Sequence, residues 1–266
     1  MSLKIPKINS LYMPNLLING DFQVWQRGKT LQVNGTGGAI KYYIDLWATY
    51  TGDWEGTLNK VENGVKITTS SNDAYLLQNI DHLDLEIGTQ YIVVASINDT
   101  IHKITFKYGI DTPITEHLSI LKTNYDTFVN VRGLKNNDIV NWVQLNKCSI
   151  QCRHIKEDYS IALLRCQRRL LVLKGSFGGG NVYRNLVYLR IDLPTTIDVK
   201  PTISQYDIRF IIDGKEEKSC SNLTIMNVTS NSIFINATVD QFLDGNDGKY
   251  ARVSNDSSIT ITCEPV

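Results

Sequence analysis

Residue types able to do chemistry are present, but their spacing points to no reaction. The four histidines, His82, His102, His117 and His154, are scattered and form no HExxH pair, so each reads as a structural or exposed imidazole. Cys148, Cys152, His154 and Cys166 are close enough in sequence to suggest zinc. Their spacing is neither a CxxC knuckle nor a common finger pattern, and unligated thiols are the better reading. No GxSxG elbow occurs, and Gly178-Gly179-Gly180 is not followed by the Lys-Ser/Thr of a phosphate loop. Asp244-Gly245-Asn246-Asp247-Gly248 has the look of a calcium loop but lacks the liganding Glu, which favours an Asx/Gly turn. A glycosidase carboxylate pair meets only in the fold and cannot be read from spacing. The sequence thus predicts no catalytic residue, no metal ligand and no cofactor.

The aromatic residues are more informative. All four tryptophans, Trp25, Trp47, Trp54 and Trp142, lie in the first 142 residues, and Tyr42, Tyr43, Trp47, Tyr50 and Trp54 fall within thirteen. A sugar presents an apolar C–H face ringed by hydroxyls, which suits an exposed ring beside amides and carboxylates. The same rings also fill sandwich cores, because they bury large areas. Over residues 42–50, alternation sets Ile44, Leu46 and Ala48 on one face and Tyr43, Asp45, Trp47 and Thr49 on the other. Trp54 follows the loop-like Thr51-Gly52-Asp53 and is the best candidate for an exposed ring. Trp54, Trp47, Tyr43, Tyr50 and Asp53 are therefore the candidate ligand-binding residues.

These residues sit in an ordinary globular chain. Of 266 residues, 42% are hydrophobic and 20% charged, which excludes a disordered polymer. Lys plus Arg balance Asp plus Glu at 27 each, so no bulk field draws the chain to nucleic acid or to acidic membrane. No apolar run approaches the roughly 18 residues of a spanning helix, and the start lacks a signal-peptide stretch. The sequence reads as soluble and made inside the cell. The odd count of five cysteines agrees with that compartment.

Most apolar stretches are short, β-branched or aromatic, and bounded by Gly, Asn, Asp or Ser. They predict strands near residues 15–19, 42–50, 65–69, 74–80, 90–97, 101–108, 128–132 and 139–145. Turn chemistry separates them at Gly35-Thr36-Gly37-Gly38, Glu62-Asn63-Gly64, Ser70-Ser71-Asn72-Asp73 and Asn98-Asp99-Thr100. Further strands are expected at 182–191, 203–212, 223–228, 233–239 and 259–263, with a hairpin turn at Asp213-Gly214. Between the two sets, Tyr159, Ala162, Leu163, Cys166, Leu170 and Leu173 recur at helical spacing and predict a helix over 157–173. Asp158 would cap it, and Lys174-Gly175 would stop it. The fold class is mainly all-β: an antiparallel jelly roll or sandwich (15–152) after a short extension (1–14), a connecting helix (153–175), and a smaller β-sandwich (176–266). The apolar stripe of Tyr159, Leu163, Cys166 and Leu170 is the candidate oligomer contact, and Arg165, Arg168 and Arg169 occupy the other face.

Asn15-Leu16-Leu17-Ile18-Asn19-Gly20-Asp21-Phe22-Gln23-Val24-Trp25-Gln26-Arg27-Gly28 resembles the NLLINGDFQIWQRG opening of bacteriophage tail-fibre and receptor-binding proteins. Tyr42-Tyr43-Ile44-Asp45-Leu46-Trp47 is similar to their Y-x-x-D-R-W strand, with Leu46 in place of Arg. Val143-Gln144-Leu145 through Glu157, with Ile161-Ala162-Leu163-Leu164-Arg165-Cys166-Gln167-Arg168-Arg169, resembles their QLE-x-G-S … E-x-A-L-C-Q-R-Y passage. There Cys148 and Cys152 replace small residues, and Arg169 replaces an aromatic. Leu193-Pro194 and Lys200-Pro201-Thr202-Ile203 are similar to the start of their C-terminal β domain.

The resemblance implies a galactose-binding-like jelly roll in a virion tail component. It implies a homotrimer that contacts a bacterial cell-surface glycan or glycoprotein and other phage tail proteins, without enzymatic activity, nucleic-acid binding or membrane insertion. The alternatives are a carbohydrate-active enzyme or its binding module, and a structural tail part without ligand.

Overall fold

A computed structural model of the chain describes residues 13–34, 38–50, 52–148, 150–168, 170–193, 201–212, 217–229, 232–239 and 249–262. The chain divides into two compact units between Leu163 and Leu164. Both are built of antiparallel strands, so the expected all-β class holds.

The first unit contains β1 (Thr30–Val33), β2 (Ile40–Ile44), β3 (Trp47–Tyr50), β4 (Gly56–Val61), β5 (Gly64–Thr69), β6 (Ala74–Asn79), β7 (Gln90–Ile97), β8 (Thr100–Lys107), β9 (Leu118–Lys122), β10 (Thr127–Leu134) and β11 (Ile139–Asn146). They form a six-stranded sheet, β1-β4-β5-β11-β7-β8, and a five-stranded sheet, β2-β3-β6-β10-β9. Alternation sends Leu58, Ile67, Val93, Ala95, Val143 and Leu145 of the first sheet, and Trp47, Leu76, Ile120, Val129 and Val131 of the second, into one shared core. Burying a side chain of this size contributes about 1.5–3 kcal/mol, so this common core fixes the register of both sheets.

Several boundaries differ from the expected ones. Residues 17–21 form a turn, not a strand, with Asn19 at φ 54°. The single strand expected over 42–50 is a hairpin, because Leu46 takes φ 68° and reverses the chain between β2 and β3. By contrast β7 spans the expected 90–97, and all eight of its residues pair with β8. β1, β4 and β9 were carried by no sequence signal: they are short and interleaved with Thr, Asn, Ser and Lys.

The helix is shorter than its periodicity predicts. α1 (Tyr159–Gln167) has nine residues, and Leu170–Lys174 is instead β12. Leu-Leu-Val-Leu-Lys fits either period, and backbone pairing with β20 (Ser258–Thr262) decides it.

The second unit continues with β13 (Gly179–Tyr183), β14 (Leu186–Asp192), β15 (Thr202–Asp207), β16 (Arg209–Ile212), β17 (Glu217–Val228), β18 (Ser232–Val239) and β19 (Tyr250–Val253). The strand expected over 182–191 is the β13–β14 hairpin, turning at Arg184 with φ 55°. β12, β20 and β15 form a three-stranded sheet. In place of an open second sandwich, β13-β14-β18-β17-β16-β19 close into a barrel around Val187, Leu189, Phe210, Ile235 and Val253. Closure leaves no unpaired edge in that ring. The Asp213-Gly214 turn, the 244–248 stretch, Gly35-Thr36-Gly37, Arg169, Cys263 and residues 1–12 lie outside the described residues.

Candidate functional site

The long opening motif is a clamp on the backbone. Asn15 Nδ2 donates to the Val143 carbonyl at 2.8 Å, while its Oδ1 accepts from Leu17 N and Leu145 N. Asn19 Oδ1 accepts from Val24 N, and its Nδ2 donates to the carbonyls of Val24 and Asp45. Gly20 lies so near β11 that a Cβ there would run into the Val143 carbonyl. Trp47 Nε1 donates to Asn19 O at 3.2 Å, and its ring packs on Phe22 with centroids 5.0 Å apart. Asp45 pairs with Arg27 at 3.7 Å and accepts from Gln26 N, so the acid of the Y-x-x-D pattern has a cationic partner despite Leu46.

After β11, the described residues between 147 and 158 fold back along the first unit. His154 stacks on Trp142, its Nε2 is 2.8 Å from Asp21, and Gln23 Nε2 donates to Glu157 O. Cys152 and His154 thus belong to this strap. Among the described residues no group of three or more His, Cys, Asp or Glu side chains is placed to hold a metal ion.

The aromatic platform expected at residues 43–54 does not form. Trp47 is fully buried, Tyr43 is 4% exposed and Trp54 only 3%, with Trp54 Nε1 donating to Thr49 Oγ1 at 2.8 Å. Trp54 is a core residue, and its loop-like neighbours gave the wrong exposure. Tyr50 stays half-buried and Asp53 exposed, where Asp53 accepts from the Tyr75 hydroxyl. Burial and then the Asp53 carboxylate push the Tyr75 hydroxyl well above the ordinary phenol range. Of the candidate contact residues on the helix, Cys166 is buried, Leu163 is half-buried and Tyr159 is 52% exposed, while Leu170 belongs to β12. Ile161 and Leu164 are also exposed, so the helix keeps apolar surface on a face other than the expected stripe.

A cavity of about 320 Å³ in the first unit is a better site. Ile97, Asn98, Thr100, His102, Glu116, His117, Lys135 and Asp138 line it. The β7–β8 hairpin supplies one wall through a tight turn in which Asn98 and Asp99 take φ 49° and 62°. Asn98 Nδ2 donates to Asp138 Oδ1 at 2.8 Å and its Oδ1 accepts from Ile139 N, which ties that hairpin to the β10–β11 turn. Asp138 in turn accepts from Lys135 N. On the far wall, Gly133 at φ 65° lets β10 approach the Glu116 carbonyl, and Arg132 N donates to His117 O. The edge strand β8 and the residue leading into the edge strand β9 thereby bring His102 and His117 into T-shaped contact, with ring centroids 4.3 Å apart. Glu116 lies 3.7 Å from His117 Nε2. Burial, and then His117, lower the His102 pKa, which favours its neutral imidazole.

Sequence spacing did not reveal this pocket, since His102 stands on β8 and His117 just before β9, on strands of different sheets. One signal was available: alternation through β8 puts His102 on the side of the core residues Ile104 and Phe106, where an imidazole needs a polar opening.

Set against known proteins, the chain matches no protein-family model, no curated protein and no solved structure. Among the described residues no helix is long and apolar enough to cross a membrane.

Proposed function

We propose that the chain is the saccharide-binding, non-catalytic part of a phage-tail-type attachment protein, with its binding site in the His102–His117 cavity. The observation that carries this reading is the meeting of two imidazoles, two carboxylates and a lysine around a cavity at the small end of the ligand-pocket range. The neutral imidazole favoured at His102 both donates and accepts hydrogen bonds, Glu116 accepts and Lys135 donates, which matches the alternating needs of sugar hydroxyls. The resemblance of four motifs, in order along the chain, to phage tail-fibre and receptor-binding proteins supports the same reading, as does the two-sheet sandwich. On this reading several copies act together, three in a homotrimer, with Tyr159, Ile161 and Leu164 offering apolar surface for association. Weak single-site binding then gains strength from effective concentration.

The test is titration of the purified chain with bacterial surface oligosaccharides, followed by calorimetry, alongside His117→Ala and Lys135→Ala. Each substitution should weaken binding at least tenfold, which is about 1.4 kcal/mol, with little change in Tm. Binding that survives both substitutions would contradict the site, and release of new reducing ends would make the protein an enzyme.

A further inference from the structure

The strap that follows β11 carries a second chemical feature, independent of the His102 cavity. Cys148 and Cys152 bring their sulfur atoms within 3.3 Å of each other. Cys152 is 2% exposed and Cys148 is half-buried, so one thiol is shielded while its neighbour meets solvent. Two small side chains filling space would need no such contact, since a buried thiol packs as an ordinary apolar group. The described residues between them belong to no strand or helix, so drawing the sulfurs together breaks no backbone ladder. Ile150 and Gln151, which lie between the two cysteines in sequence, line a cavity of about 410 Å³ together with Ile92, Lys103, Ile104 and Thr105. It offers room for a peptide-sized reagent, and Lys103 offers a cation to its carboxylates.

We propose that Cys148 and Cys152 are a redox-modification site that takes a small anionic disulfide of the glutathione type and closes into an intramolecular disulfide. Cys148 loses its proton and attacks one sulfur of the small disulfide. That S–S bond breaks, and the first small thiolate leaves and takes up a proton. Cys152 then loses its proton and attacks the Cys148 sulfur, releasing the second small thiolate, which is protonated in turn. Two protein thiols are oxidised and one small disulfide is reduced to two thiols, so protons and electrons balance. The order follows from access. Burial, and then the neighbouring Cys148, push the Cys152 thiol up to about 11, which suits it to the second, intramolecular step. The new bond would staple the start of the strap, whose far part His154 and Glu157 already hold.

The experiment incubates the reduced 266-residue chain in buffers of reduced and oxidised glutathione, quenches with acid, and maps thiols by maleimide labelling and mass spectrometry. The wild type should lose two labels in one step, with the tryptic peptide 148–153 two hydrogens lighter. Cys152→Ser should accumulate one glutathione adduct on Cys148, and Cys148→Ser should react at least tenfold more slowly. Amide exchange across residues 147–158 should slow severalfold on oxidation. Retention of both labels in oxidising buffer would overturn the proposal. So would a lasting glutathione adduct on the wild type, pairing of Cys148 with another cysteine, or unchanged exchange across the strap.

Discussion

His154 lies flat on Trp142, with ring centroids 4.1 Å apart and planes within 5° of parallel. Its Nε2 meets Asp21 at 2.8 Å and its Nδ1 is 3.3 Å from Gln144 Oε1. One imidazole therefore joins the strap, β11 and the opening turn. His154→Ala should cost about 2 kcal/mol in urea unfolding, from the lost stack and from polar groups left unpaired. His154→Phe, which keeps a ring, should cost less. Equal losses for the two variants would show that the stack contributes nothing.

Asn19 holds three buried hydrogen bonds at φ 54°, a backbone region that Asn tolerates and Ala does not. Asn19→Ala should destabilise the first unit by about 3 kcal/mol, the sum of lost bonds and backbone strain. Asn19→Gly removes the strain but not the bond losses and should fall between Ala and the wild type. Equilibrium denaturation gives the order directly; a Gly variant as unstable as Ala would remove the conformational part of this explanation.

These two residues show what the sequence carried. Strands with strong β-branched runs, such as β7, appeared at their true bounds, whereas the turn around Asn19-Gly20-Asp21 was read as the end of a strand over 15–19. Reversals that depend on one non-glycine residue at positive φ, Leu46 and Arg184, were not legible, because nothing in those residue types announces a turn. Trp54 misled for a related reason. Gly52 and Asp53 mark a loop, yet the ring turns back to reach Thr49 in the core. The helix overran its end because 170–174 satisfies both periods, and only its partner strand decides between them. The pocket was hidden because His102 and His117 become neighbours only when the edges of two sheets meet.

The His102 environment sets a pH dependence. Burial, and then His117, lower its folded pKa, with Glu116 opposing, while Lys135 and Asp138 complete the charged surroundings. The unfolded chain then binds the proton more readily. Stability from this group is fully present above the ordinary value of 6.5 and is lost as pH falls through the lower folded value. The Tm of the wild type should fall as pH drops through that window, and His102→Gln should flatten the slope. An unchanged slope in the variant would assign the effect to another group.

The most direct test of the proposed site is NMR of the chain with labelled histidine and tryptophan during titration with a bound bacterial oligosaccharide. The His102 and His117 ring signals should shift together and saturate at the calorimetric affinity, while the buried Trp54 indole stays unmoved. Saturable movement of Trp54 with still histidines would contradict the account and return the site to the aromatic segment.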